Sequence, residues 1–96
     1  MDVHEIWKRC FCNWPPELER HGIVVTNFDE QIPFDNFSTS DWLLLLDRRT
    51  PDTSGARKVM LPYGHIMGLK ITDVVKSRTF AALGFDEARG KKSGAS

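Results

Sequence analysis

Residues 22–72 decide the fold: Gly22-Ile23-Val24-Val25-Thr26, then the turn Asn27-Phe28-Asp29-Glu30, then Gln31-Ile32-Pro33-Phe34-Asp35-Asn36-Phe37. Trp42-Leu43-Leu44-Leu45-Leu46 follows, then the turn-rich Thr50-Pro51-Asp52-Thr53-Ser54-Gly55. Lys58-Val59-Met60-Leu61 and Ile66-Met67-Gly68-Leu69-Lys70-Ile71 close the stretch, separated by Pro62-Tyr63-Gly64-His65. Short β-branched and apolar runs bounded by Gly, Pro, Asn and Asp read as strands joined by turns. The stretch therefore predicts five antiparallel strands. The second is polar-interrupted, and Pro33, which cannot donate to a ladder, marks it as an edge, a strand start or a bulge. A strongly bent strand of that kind lets a small barrel close. The leucine run between polar clusters reads as a central strand, apolar enough for burial on both faces.

Upstream, Asp2-Val3-His4-Glu5 has the form of a helix N-cap with a glutamate three residues on. Val3, Ile6, Trp7, Cys10, Phe11 and Trp14 recur at helical spacings of three and four. A helix over 2–14 is predicted, ended by Pro15-Pro16, with its apolar stripe laid on the sheet. Gly22 is expected to let the chain reverse into the first strand. Downstream, Asp73 is positioned to cap a short helix through Val74, Val75, Arg78, Ala81 and Ala82, ended by Gly84; a strand through Val74-Val75 is the alternative. Residues 86–96 are polar and small and read as a disordered tail. The expectation is one mainly β domain over residues 1–85.

The 96 residues suit one domain with a modest core, which gains from oligomerisation. Acids and bases balance overall but not along the chain. Residues 1–42 carry eight acids against three bases, a net −5, whereas residues 43–96 carry ten bases against five acids, a net +5. Both halves are simply solvated, or the basic half faces an anionic partner, or neighbouring copies attract head to tail. A neutral total disfavours strong non-specific nucleic-acid binding, which needs many phosphate contacts. No run approaches the ~20 apolar residues of a membrane span, and no signal pattern opens the chain, so a cytoplasmic address with no membrane partner is expected. Cys10 and Cys12 lie two apart on a helix, pointing about 200° apart, and read as reduced thiols.

At this point the chain resembles the Sm/LSm family and its bacterial branch, Hfq. The likeness covers about residues 2–72. Asp41 before Trp42 and the leucines is similar to the family's first motif, and Leu61-Pro62-Tyr63-Gly64-His65-Ile66 to its second. The family's glycine in the bent strand is replaced by Asp35 or Asn36, and the asparagine after the aspartate by a leucine. The resemblance implies an N-terminal helix on a five-stranded Sm-like barrel, a homo-oligomeric ring of five to seven copies, and single-stranded RNA as the ligand. It implies an RNA face using Asp41 and Trp42 for stacking, Tyr63 and His65 around the pore, and Arg57 and Lys58, with Arg48 and Arg49, on phosphates. The alternative is an interaction scaffold that keeps the fold without the RNA pocket. Each residue also has a plainer reading: Trp42 starts a core strand, Tyr63 and His65 sit in an ordinary hairpin, and the arginines are a solvated loop end. No nucleophile–base pair, Gly-rich phosphate loop or metal-ligand cluster is visible, so neither enzyme activity, metal nor cofactor is expected.

Overall fold

A computed structural model describes residues 1–85. Its first element, α1, runs Val3–Cys12. Asp2 caps it as expected, one carboxylate oxygen accepting from the Glu5 amide at 2.9 Å. It stops short of residue 14 because the Asn13 side chain also donates to the Arg9 carbonyl, at 2.8 Å, satisfying one of the terminal carbonyls.

Six strands follow: β1 (Gly22–Thr26), β2 (Gln31–Phe34), β3 (Asn36–Thr39), β4 (Leu43–Asp47), β5 (Lys58–Pro62) and β6 (Ile66–Lys70). They form two antiparallel sheets, β2-β1-β6 and β3-β4-β5. Five strands were expected. The difference lies at Asp35, which divides the second one: Phe34 pairs with Gly22 in the first sheet, whereas Asn36 pairs with Asp47 in the second. The Asp35 amide already donates to the Asp47 carbonyl, at 2.9 Å, so the chain changes sheets within one residue. Pro33 lies on the edge strand of its sheet, where a missing donor costs least. No closed barrel forms, since β5 and β6 are not paired with each other among the described residues.

Arg20 fastens the corner. One guanidinium nitrogen donates to the Phe37 carbonyl at 2.7 Å and Nε to the Asn36 side chain at 3.1 Å. The guanidinium carbon lies 3.7 Å from the centre of the Phe37 ring. Gly22 serves a different purpose from the expected reversal. Its backbone is ordinary, but a Cβ there would sit 2.7 Å from the Lys70 carbonyl oxygen, so glycine permits the close approach of β1 to β6.

The core gathers Phe11, Val24, Ile32, Phe34, Phe37, Leu44, Leu46, Leu61, Tyr63 and Ile66, flanked by Trp7, Trp14, Val59 and Leu69. Two expectations are corrected here. The leucine strand is buried on one face only: Leu44 and Leu46 are sealed, while Leu45 is half-buried and Leu43 exposed. The expected stripe of the helix packs only in part. Trp7, Phe11 and Trp14 of it lie on the core, while Val3 and Ile6 remain exposed. Aromatic rings hold that contact, with Phe11 stacked on Trp14 and edge-on to Phe37, and Trp14 edge-on to Phe34.

After β6 a 3-10 helix spans Ser77–Leu83, closed by Gly84 at φ 95°. Asp73 does not cap it; its carboxylate meets His21 Nε2 at 2.9 Å and ties this segment to the start of β1. The expected tail over 86–96 lies outside the described residues. None of the described helices is long and apolar enough to cross a membrane.

Candidate functional site

The loop between β3 and β4 explains how an aromatic side chain comes to stand in solvent. The Ser40 amide donates to the Leu43 carbonyl at 3.1 Å, and the Ser40 hydroxyl accepts from the Leu43 amide at 3.0 Å. This closes a tight turn with Asp41 and Trp42 at its tip, and Trp42 is left 74% exposed. Asp41 pairs with Lys8 of α1 at 3.5 Å. The His4 ring, also on α1, lies tilted 6.2 Å from Trp42 and edge-on 5.3 Å from Tyr63.

Tyr63 lies beneath this group, fully buried, and donates its hydroxyl to the Ser40 carbonyl at 2.9 Å. Burial raises its pKa above the ordinary phenol value, with the Ser40 contact opposing. Both faces of the ring are thus taken up by the protein in a single chain. Tyr63 is a support for the 40–43 turn and for α1, whatever contacts the exposed residues above it make.

His65 closes the same 3-10 turn, Tyr63–His65, but points elsewhere. It is exposed beside Phe28, ring centres 6.0 Å apart, and its carbonyl accepts from the Asn27 amide at 2.9 Å. Phe28 is carried outward by a turn that needs Asp29 at φ 63° and is braced by the buried Thr26 hydroxyl, which accepts from the Phe28 and Glu30 amides, each at 3.2 Å.

Arg57 and Lys58 are at the other end of β5. Lys58 and Tyr63 are five positions apart, about 16 Å at strand rise. Lys58 is neutralised by Asp47 at 2.6 Å, across the β4–β5 ladder. Arg57 is exposed and its carbonyl accepts from the Arg48 amide at 2.8 Å. Arg49 pairs with Asp35 at 3.3 Å. Asp52 organises the loop between these residues. One oxygen accepts from the Ser54 hydroxyl, the Ser54 amide and the Ala56 amide at 2.7, 2.9 and 2.8 Å. The Ser54 hydroxyl, then the Ala56 amide, hold its carboxyl below the usual aspartate range.

Asp41, Trp42 and Tyr63 therefore meet, His65 faces a neighbouring turn, and Arg57 and Lys58 stand apart. His4, Lys8 and Phe28 join the exposed surfaces without having been singled out in the sequence. For His4 a signal existed: it precedes Trp7 by three and Phe11 by seven, on the same helical face. Among the described residues no three His, Cys, Asp or Glu side chains converge as metal ligands. The chemistry on offer is planar stacking at Trp42 and backbone pairing at the outer strands. No protein-family model matches this chain, and no curated protein or solved structure matches it significantly.

Proposed function

We propose that this chain is a self-assembling subunit of Sm-like build, in which β5 of one copy pairs with β6 of the next to form a ring that serves as an interaction scaffold. One observation carries this reading. Followed through Asp35, the strand order is β6-β1-β2/β3-β4-β5, which leaves β6 and β5 as the outermost strands. Unpaired edges are templates for another chain. Exposed Met60 and Met67, one on each edge, add apolar surface there. The opposite charges of the two halves of the chain favour head-to-tail contact over a two-fold one.

The burial of Tyr63 and the pairing of Lys58 with Asp47 favour a scaffold over an RNA-binding pore. A second reading, a ring that carries single-stranded RNA, is favoured by the exposed Trp42 beside His4 and Lys8, since bases stack on such a ring for about 1–3 kcal/mol each.

Light scattering on the full chain tests the assembly. A mass of several subunits is expected, falling to one subunit in the Met60→Lys, Met67→Lys double variant, which sets like charges across the joint. A monomeric wild type at micromolar concentration refutes the ring. Fluorescence anisotropy with uridine-rich and adenine-rich strands separates the two roles. An RNA-binding ring loses affinity with salt at a logarithmic slope of about −0.7 per phosphate, and loses it again in Trp42→Ala. A scaffold binds neither strand.

A further inference from the structure

A trough runs along α1 beside the end of β6 and the 3-10 helix Ser77–Leu83. Its inner half, about 420 Å³, lies between α1 and the 3-10 helix and is walled by Trp7, Trp14, Leu18, Leu69, Ile71 and Phe80. Among the described residues no charged side chain lines it. Its outer half, about 610 Å³, shares Trp7, Cys10, Leu83 and Phe85 with the inner one and continues past Ile6 and Ala82 to Arg9. Among the described residues Arg9 is the one charged side chain lining either half, near the Met1 terminus, and no acid does. It is exposed and makes no ion pair among the described residues. The covering 3-10 helix buries none of its own residues, so it roofs the trough without filling it.

Two adjoining apolar cavities bordered, among the described residues, by one guanidinium without an ion pair are complementary to one kind of molecule. We propose that the trough is a binding site for a single-chain carboxylic acid, a free fatty acid, with the tail between α1 and the 3-10 helix and the carboxylate on Arg9. Volumes of this size and lining are typical of small-molecule sites. A guanidinium matches a carboxylate with two parallel hydrogen bonds. A nucleic acid would need more than one cation.

The test uses the full chain carrying Trp42→Phe, so that Trp7 and Trp14 report without the exposed indole. Fatty acids of eight to fourteen carbons and the twelve-carbon alcohol are titrated below their micelle concentrations, and each then competes with a dansylated fatty acid. Saturable binding is expected, tightening about fourfold per added methylene until the trough is full. The twelve-carbon alcohol should bind at least tenfold more weakly than the acid. Arg9→Gln should bring the acid down to the level of the alcohol and leave the alcohol unchanged; being an exposed helix position, it preserves folding, which circular dichroism checks. Failure of every chain length to saturate overturns the proposal, as does equal binding of acid and alcohol. A mass that doubles with concentration, is halved by Ile6→Glu and is indifferent to fatty acid also overturns it, since the trough is then a joint between copies.

Discussion

Tyr63 offers the sharpest trial of the structure, because its two readings, base platform and core support, predict opposite behaviour. Tyr63→Phe keeps the ring and its edge contact with His4 and removes only the hydroxyl that meets the Ser40 carbonyl at 2.9 Å. A neutral hydrogen bond of this kind contributes about 1 kcal/mol, and the exposed Ser40 turn can rehydrate its carbonyl, so the cost stays near that figure. For a domain of this size that is a midpoint about 4–8 °C lower. Tyr63→Ala empties a fully buried aromatic site, which costs about 3–5 kcal/mol, comparable with the whole stability of a small domain. Urea unfolding followed by far-ultraviolet circular dichroism measures both. The pH dependence adds a second signature. Burial raises the phenol pKa above its ordinary value of 10.0. The folded state then holds its proton more tightly than the unfolded state. This contribution is fully present below pH 10 and is lost as pH rises through the folded value. The gap between wild type and Tyr63→Phe should therefore change above pH 10 and be flat below it. Should Tyr63→Ala unfold cooperatively at the wild-type midpoint, the ring is not in the core and the placement of α1 over the 63–65 turn is refuted.

Gly22→Ala drives a methyl group to 2.7 Å from the Lys70 carbonyl oxygen and should destabilise by about 1–3 kcal/mol in denaturant titration; a neutral result would mean that β1 and β6 are not so close. Arg20→Ala removes two hydrogen bonds and the stack on Phe37 at the strand corner, and a loss of about 1–3 kcal/mol is expected in the same assay, with Arg20→Lys recovering only part of it because an ammonium neither forks nor stacks. Burial pushes the Cys10 thiol up to about 11 from 9.0, which cuts its own thiolate fraction about a hundredfold at pH 8, so iodoacetamide should label exposed Cys12 first; mass spectrometry of the early product showing Cys10 labelled instead would refute its burial. The same shift makes stability decline as pH rises from 9 towards 11, and Cys10→Ala should remove that part of the slope.

Local chemistry settled most of the element order. Alternating β-branched residues, the asparagine and proline turns and the Asp2 cap act over three to eight residues, so α1 and the positions of the strands are legible in the sequence alone. So was a bend in the second strand, because Pro33, Asp35 and Asn36 each disfavour a straight, continuous ladder. What the bend does was not legible: whether Asp35 bends one strand or passes the chain to another sheet depends on Asp47, twelve residues away and brought close only by folding. Which part of the α1 stripe packs was likewise hidden. Phe11 meets Phe34 and Phe37 across the core, while Val3 and Ile6 of the same stripe stay exposed. The candidate site shows the same division. Trp42 and Tyr63 are both aromatic residues beside turns, indistinguishable by type or spacing. Yet one is 74% exposed and the other sealed, because the 40–43 turn throws Trp42 outward while α1 closes over Tyr63. Arg57, Lys58 and His65 lie within nine residues of one another, but an extended strand holds the basic pair and the histidine at opposite ends of the sheet. Sequence proximity carries that information only once the strand is known to run straight between them, and burial is a property of what packs on a residue from elsewhere in the chain.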